Sequence, residues 1–185
     1  MIRIDDLILE GFPVLLAPME DITDPPFRAL CRRYGVPLII NDNVEIAVQI
    51  GADGVHVGQS DIRGRDLRSL LGPEKILGVS ANTVETAVRA EESGADYIGV
   101  GAVFGTTTKK DAQNITVQQL LEIRRAVSIP IVAIGGISAA NIGKLAGSGI
   151  DGVSVISAIF AAPDPAAAAR ELRALSEKLF GGKAG

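Results

Sequence analysis

The run Gly101-Ala-Val-Phe-Gly-Thr-Thr-Thr-Lys-Lys-Asp111 follows directly on the apolar stretch Tyr97-Ile-Gly-Val-Gly101. The hydroxyls of Thr106 and Thr108 and the ammonium of Lys109, set among small residues at the end of a buried strand, offer convergent donors and positive charge to a phosphate. The competing reading is a mobile polar loop. Against it stands the isolation of Lys109 and Lys110 beside a run of hydroxyls in an acidic chain. Polar groups also close the other apolar runs: Glu20-Asp21, Asn41-Asp42-Asn43, Gln59-Ser60-Asp61, Ser80-Ala-Asn82, Gly135-Gly136 and Ser157. Gathered at one mouth, this inventory suits a metal-bridged polyphosphate.

Asp42 and Asp61 close successive strands, so in a parallel sheet their carboxylates are placed to share one hard cation with phosphate oxygens and water. Mg2+ fits that role because it accepts few protein carboxylates and keeps water and phosphate as its other ligands. Alternatively, Asp42 caps the helix beginning near Val44 and Asp61 sits in a solvated loop. Gly135-Gly136 and Ser157 end the last two strands, each ahead of a helix N-terminus, where backbone amides grip phosphate; a tight turn is the plainer use of the glycine pair. His56 alternates with Val55 and Val57 and so points to the opposite strand face, as a satisfied interior imidazole rather than a catalytic base. Cys31 stands alone, which excludes an internal disulfide or a cysteine zinc site and favours a buried apolar role in a helix.

The elements that must position these groups repeat. Gly51-Ala-Asp-Gly-Val-His-Val-Gly58, Gly94-Ala-Asp-Tyr-Ile-Gly-Val-Gly101 and Gly149-Ile-Asp-Gly-Val-Ser-Val-Ile156 are variants of one unit: helix end, tight loop, strand. Helix starts are marked at Asp24-Pro25-Pro26, Thr83–Thr86, Thr116–Gln119, Ser138–Asn141 and Asp164-Pro165, and stops at Gly35, Gly51, Gly72, Gly94 and Gly149. Strands are expected at Val14–Met19, Pro37–Asp42, Gly54–Val57, Ile76–Ser80, Tyr97–Val103, Ile131–Gly136 and Val153–Ser157. They are apolar on both faces, as parallel strands covered by helices must be.

The fold class is therefore α/β, and the regular repeat with polar strand ends favours a TIM-type (βα) barrel over an open doubly wound sheet. Seven core strands leave the barrel short by one strand unit. An N-terminal hairpin over Ile2–Leu9, turning at Asp5-Asp6, would plug the lower end or supply the missing strand. An unpaired edge would otherwise invite a homo-oligomer. One domain spans residues 1–180, and residues 181–185 read as a disordered tail.

With 185 residues, 47% apolar and 22% charged content and a net charge of -4, the chain lacks the basic field that nucleic-acid binding requires. No apolar run approaches ~20 residues and no signal peptide opens the chain, so neither membrane nor export is expected and the location reads as cytoplasmic. Small phosphorylated substrates are the expected partners.

From about Val36 to Leu179 the chain resembles thiamin-phosphate synthase. Pro-Leu-Ile-Ile-Asn41-Asp42, Gly-Ala-Asp-Gly-Val-His-Val-Gly-Gln-Ser-Asp61, Gly-Val-Ser80, the Thr106–Lys109 loop, Ile-Gly-Gly136-Ile and Val-Ile156-Ser157-Ala-Ile match in order and spacing. The resemblance implies a transferase that joins hydroxymethylpyrimidine diphosphate to thiazole phosphate, releasing diphosphate through a cationic pyrimidine methyl intermediate. It further implies that Asp42 and Asp61 hold Mg2+ and that Asn41, Ser80 and Lys109 contact the diphosphate, Ser80 and Lys109 as the catalytic pair. Thr106, Thr108, Gly136, Ile156 and Ser157 would hold the thiazole phosphate.

The opening Phe12-Pro-Val-Leu-Leu-Ala-Pro-Met-Glu-Asp-Ile-Thr-Asp-Pro-Pro-Phe-Arg28-Ala-Leu instead looks like the first strand and helix of tRNA dihydrouridine synthase, where Ala17-Pro18-Met19 approaches FMN. The two families meet near Cys31–Pro37, which reads as a chimera of residues 1–35 with 36–180. In the synthase family, two strands precede the Pro37 strand, and the second carries a Gln/Arg/Lys cluster that grips diphosphate. No such cluster occurs between Met1 and Pro37, so impaired turnover is expected. The alternatives are an inactive barrel scaffold that retains a phosphate site at Gly136 and Ser157, and a flavin oxidoreductase, which the missing strand-end cysteine and the acidic charge disfavour.

Overall fold

Short runs rich in Val, Ile and Gly form the strands of the main sheet, and helices alternate with these strands from β4 onward. The computed structural model describes residues 2–4, 7–9, 14–16, 33, 37–59, 65–105 and 115–180. The strands are β1 (Ile2–Ile4), β2 (Leu7–Leu9), β3 (Val14–Leu16), β4 (Ile39–Asn41), β5 (Gly54–Val57), β6 (Ile76–Ser80), β7 (Tyr97–Gly101), β8 (Ile131–Ile134) and β9 (Gly152–Val155). The helices are α1 (Val44–Gln49), α2 (Leu67–Leu71), α3 (Val84–Glu92), α4 (Val117–Ala126), α5 (Ser157–Phe160) and α6 (Pro165–Phe180), with a 3-10 turn at Ile142–Leu145.

β4 to β9 form a curled parallel sheet in sequence order, a half-barrel consistent with a TIM-type fold; β3 pairs with β9, and β1 pairs with β2 in a separate sheet. The expected closed barrel is thus met by an open run with β3 and β4 at its two ends, and no pairing joins these ends among the described residues. Several strands stop earlier than the apolar runs do. β7 ends at Gly101 and β8 at Ile134, because the residues that follow turn to form the rim.

Alternation divides the sheet into two unlike faces. Val55, Val57, Leu77, Val79, Ile98, Val100, Ile131, Ala133, Val153 and Val155 are at most 2% exposed and pack with Ala47, Ala87, Ala90, Leu120, Ile123 and Leu172 of the helices. Burying a Val or Ile side chain there contributes about 1.5–3 kcal/mol. The opposite, inner face carries His56, Gly78, Ser80, Tyr97 and Gly99, joined by the registers His56↔Gly78, Gly78↔Tyr97 and Ser80↔Gly99.

Caps fix where the helices begin. Thr83 with Thr86, and Thr116 with Gln119, close full capping boxes on α3 and α4. Asp164 Oδ1 accepts from Ala167 N–H at the start of α6. Ser138 does not start a helix: Asn141 Oδ1 accepts from the Ser138 N–H at 2.8 Å, and the 3-10 turn begins only at Ile142.

The aspartates of the repeated phrases share one task at the lower end of the sheet. Asp53, Asp96 and Asp151 donate their own N–H groups to the carbonyls of Leu38, Leu77 and Ile131. Their carboxylates accept from the N–H groups of the same three residues, at 2.7, 2.6 and 2.9 Å. Each aspartate therefore holds the start of its own strand to the start of the preceding strand in the sheet. Arg68 adds a charge-assisted bond to Asp96 at 2.6 Å, and Arg124 one to Asp151 at 2.9 Å.

Asp96→Ala leaves the buried Leu77 N–H without an acceptor and should lower stability by about 2–4 kcal/mol in urea unfolding; a change below about 0.5 kcal/mol, the range of neutral surface substitutions, would refute the clamp. Glu91, in the last turn of α3, accepts from the Ser128 hydroxyl at 2.5 Å and from the Ser128 and Ile129 N–H groups at 2.8 and 3.2 Å. The Ser128 hydroxyl, and then its N–H, hold the Glu91 carboxyl below its ordinary value of 4.5. A depressed folded-state pKa stabilises the fold above the unfolded value and loses that contribution as pH falls through the folded one. Urea midpoints measured from pH 7 down to pH 3 (about the carboxylate range) should therefore fall less steeply in Glu91→Gln than in the parent.

Candidate active site

All strands of the main sheet are parallel, so their C-terminal ends share one rim, and every described residue singled out for chemistry lies there. Asn41 is the last residue of β4, with Asp42 exposed behind it. Ser80 is the last residue of β6 and half-buried. Gly136 follows β8 and is exposed, while Ile156 and Ser157 follow β9, Ser157 as the first residue of α5. Asp61, Thr106, Thr108 and Lys109 lie outside the described residues, as do Cys31 and the 181–185 tail.

Asp42 does not cap α1. Asn43 does, its side chain accepting from Ile46 N–H at 2.9 Å. Asp42 itself adopts φ +63°, a left-handed conformation that a non-glycine residue holds only where its surroundings impose it. Two contacts help impose it: Asp42 N–H donates to the His56 carbonyl at 2.8 Å, and Asn41 Nδ2 donates to Asp42 Oδ2. The carboxylate is thereby aimed by its neighbour and is not committed to a helix end.

A belt of hydrogen bonds links the strand ends from β5 to β8. Gln59 Nε2 reaches from beyond β5 to the Ser80 carbonyl at 2.6 Å. Asn82 Oδ1 accepts from Gly101 N–H at 3.1 Å, joining the ends of β6 and β7. Val103 N–H donates to the Ile134 carbonyl and Phe104 N–H to the Gly135 carbonyl, at 3.0 and 3.1 Å, joining β7 to β8. Asn141 Nδ2 donates to the Gly136 carbonyl at 2.8 Å. The rim amides Gln59, Asn82 and Asn141 thus set loop positions.

Below the rim, His56 occupies the inner face as an imidazole with partners. Its Nδ1 lies 3.0 Å from the Tyr97 hydroxyl and its Nε2 lies 3.0 Å from Ser80 Oγ. Burial pushes the Tyr97 phenol above its usual pKa, with the nearby Asp96 charge adding to the effect, so the phenol keeps its proton. Residue-by-residue reading singled out Ser80 and His56 but missed Tyr97. The available signal was the alternation, which puts His56, Tyr97 and Ser80 on one face opposite glycines. Asp61, the second carboxylate expected to hold Mg2+, lies outside the described residues, and no cluster of three His, Cys, Asp or Glu ligands occurs among those described.

Comparisons with known proteins point to one family. Residues 25–159 match the profile of the thiamine monophosphate synthase family. The chain is 43% identical over 176 residues to a thiamine-phosphate synthase of Clostridium tetani, covering 91% of this chain and 84% of that protein. It is 51% identical over 145 residues to one of Ruminiclostridium cellulolyticum, covering 78% and 69%. The solved structure of a thiamine phosphate pyrophosphorylase from Pyrococcus furiosus superposes with a TM-score of 0.74 at 39% identity, over 84% of this chain and 74% of the other. The profile begins at Pro25, ahead of the Cys31–Pro37 junction. These matches support one family and give no support to a dihydrouridine synthase segment or a chimera.

Gly136 packs where a side chain cannot fit. Its φ is +63°, and a Cβ would lie 2.3 Å from the Gly105 carbonyl oxygen, on the loop that leads into Thr106. Gly72 has φ +83° but open space around it. Gly136→Ala should therefore lower stability by about 1–3 kcal/mol, more than Gly72→Ala does. Equal thermal shifts for the two variants would show that the contact with Gly105 is not tight.

Proposed function

We propose that this chain, which belongs to the thiamine monophosphate synthase family, is a transferase that joins hydroxymethylpyrimidine diphosphate to thiazole phosphate and releases diphosphate. One observation carries the reading: the family match takes in Asn41, Asp42, Ser80, Gly136, Ile156 and Ser157, and these residues lie at the C-terminal ends of four strands, β4, β6, β8 and β9, of one parallel sheet. No helix among the described residues is long and apolar enough to cross a membrane.

In this reading the bond between the pyrimidine methylene carbon and the diphosphate oxygen breaks first, and negative charge grows on the departing diphosphate. Lys109 meets that charge with an ammonium group, Ser80 with a hydroxyl and Asn41 with an amide. Donors fixed where charge develops favour the transition state over the ground state. Asp42 and Asp61 would hold Mg2+, which neutralises diphosphate charge when bound. The donor chemistry suits it, since Asp42 is an exposed carboxylate kept out of the helix cap. Thr106, Thr108, Gly136, Ile156 and Ser157 hold the thiazole phosphate so that the lone pair of the ring nitrogen bonds to the cationic methylene carbon once the diphosphate has left. With no Gln/Arg/Lys cluster ahead of Pro37, the diphosphate is held by fewer cations, and turnover is slow.

Thiamin phosphate formation measured with Mg2+ should be detectable in the parent. Lys109→Ala should lower kcat/KM by about 10–100-fold, the loss of one charge-assisted contact. Asp42→Ala should cut the rate by at least as much and raise the Mg2+ concentration needed for half-maximal rate. A parent without product at saturating substrates, whose melting temperature phosphate nonetheless raises, would replace the transferase with a binding scaffold.

A further inference from the structure

We propose that His56 is a positioning residue for Ser80: Tyr97 donates to His56 Nδ1, the imidazole is thereby fixed as its Nε2–H tautomer, and Nε2–H donates to Ser80 Oγ, which turns the serine proton toward the anionic ligand at the rim. The proposal rests on the transferase reading only in taking that ligand to be a diphosphate.

The inference follows from counting donors and acceptors along the inner face. Tyr97 Oη, His56 Nδ1, His56 Nε2 and Ser80 Oγ form a line with 3.0 Å at each contact. A neutral imidazole has one N–H and one lone-pair nitrogen, so the two contacts have opposite polarity. If Nδ1 carried the hydrogen, the Tyr97 oxygen would accept it and the phenolic proton would need another acceptor. The Tyr97 ring is wedged against Gly78, where a Cβ would come within 2.2 Å of it. The residue is only 9% exposed, and no second partner for its hydroxyl is found among the described residues. That arrangement strands a buried donor, as a doubly protonated imidazole would. With Tyr97 donating, every group in the line is satisfied, and the only proton left to point outward is the one on Ser80.

The direction matters because a hydroxyl that accepts a hydrogen bond is polarised into a better donor. Ser80 is also anchored through its backbone, its carbonyl accepting from Gln59 Nε2 at 2.6 Å. Main chain and side chain of Ser80 are therefore both held from β5 and the segment after it. The serine meets its ligand with one lone pair occupied and its proton available, the polarity that an anion, which can only accept, requires.

The chain has a single histidine, so ring nitrogen signals of protein labelled with 15N-histidine belong to His56 alone. The spectrum should show Nε2 protonated and Nδ1 bare, and Tyr97→Phe should move population toward the other tautomer. Affinity for inorganic diphosphate with Mg2+, measured by calorimetry, should fall about tenfold in both Ser80→Ala and His56→Leu. Combining the two should weaken binding no further, because the histidine acts through the serine. His56→Gln, whose amide reaches the Nε2 position, should restore most of the affinity. A parent spectrum with Nδ1 protonated, or additive losses in the double variant, would overturn the proposal. Neither measurement needs turnover, so an inactive protein with the Nε2–H tautomer and non-additive binding would count against the transferase alone.

Discussion

Asp53, Asp96 and Asp151 tie strand starts together in pairs at the lower end of the sheet, and the geometry of the rim is inherited from them. Each aspartate both donates to and accepts from one residue of the preceding strand, so it fixes distance and register at once. A slip of one residue would turn every inner-face side chain outward. The pairings Asn41↔His56 and Ser80↔Gly99 follow from the registers that Asp53 with Leu38 and Asp96 with Leu77 set at the strand starts. The polar groups at the mouth stay aligned because charged groups far beneath them hold their strands in place.

Two surfaces of one sheet do different physical work. The outward face is a continuous apolar layer under the helices, where aliphatic residues give burial without polar obligations. The inner face accepts polar groups, and there each hydroxyl or ring nitrogen must find a partner, since an orphaned one is destabilising by more than a hydrogen bond contributes. Tyr97, His56 and Ser80 meet that demand among themselves. Gln59, Asn82 and Asn141 meet it for the loop carbonyls and amides above.

Much of this was readable in the letters because it is local. Thr83, Thr116 and Asp164 act as caps where side-chain chemistry says they must, and the apolar runs of β5 and β6 match the strands residue for residue. The strand-end polar residues converge on one rim because parallel topology leaves no other arrangement. Other features were not legible. The capping of α1 by Asn43 rather than Asp42 depends on a single backbone torsion, and composition carries no mark of it. The double duty of the repeated aspartates is a relation between residues 15 to 20 apart in sequence, visible only once strands are neighbours. In the sequence Tyr97 reads as one more apolar strand residue because its ring is apolar; its hydroxyl acquires meaning only across two strands.

The fit of Tyr97 against Gly78, and of His56 against Gly99, also shapes how the family can drift. A methyl group at position 78 would sit 2.2 Å from the tyrosine ring, and one at position 99 would sit 2.9 Å from the imidazole. Neither member of either pair can be replaced first without loss: a bulkier residue meets a ring that has not shrunk, and a smaller ring leaves a void beside a bare glycine. Descendants of such a chain should keep both pairs or exchange them in concert, so that ring and glycine are inherited as one unit across three adjacent strands.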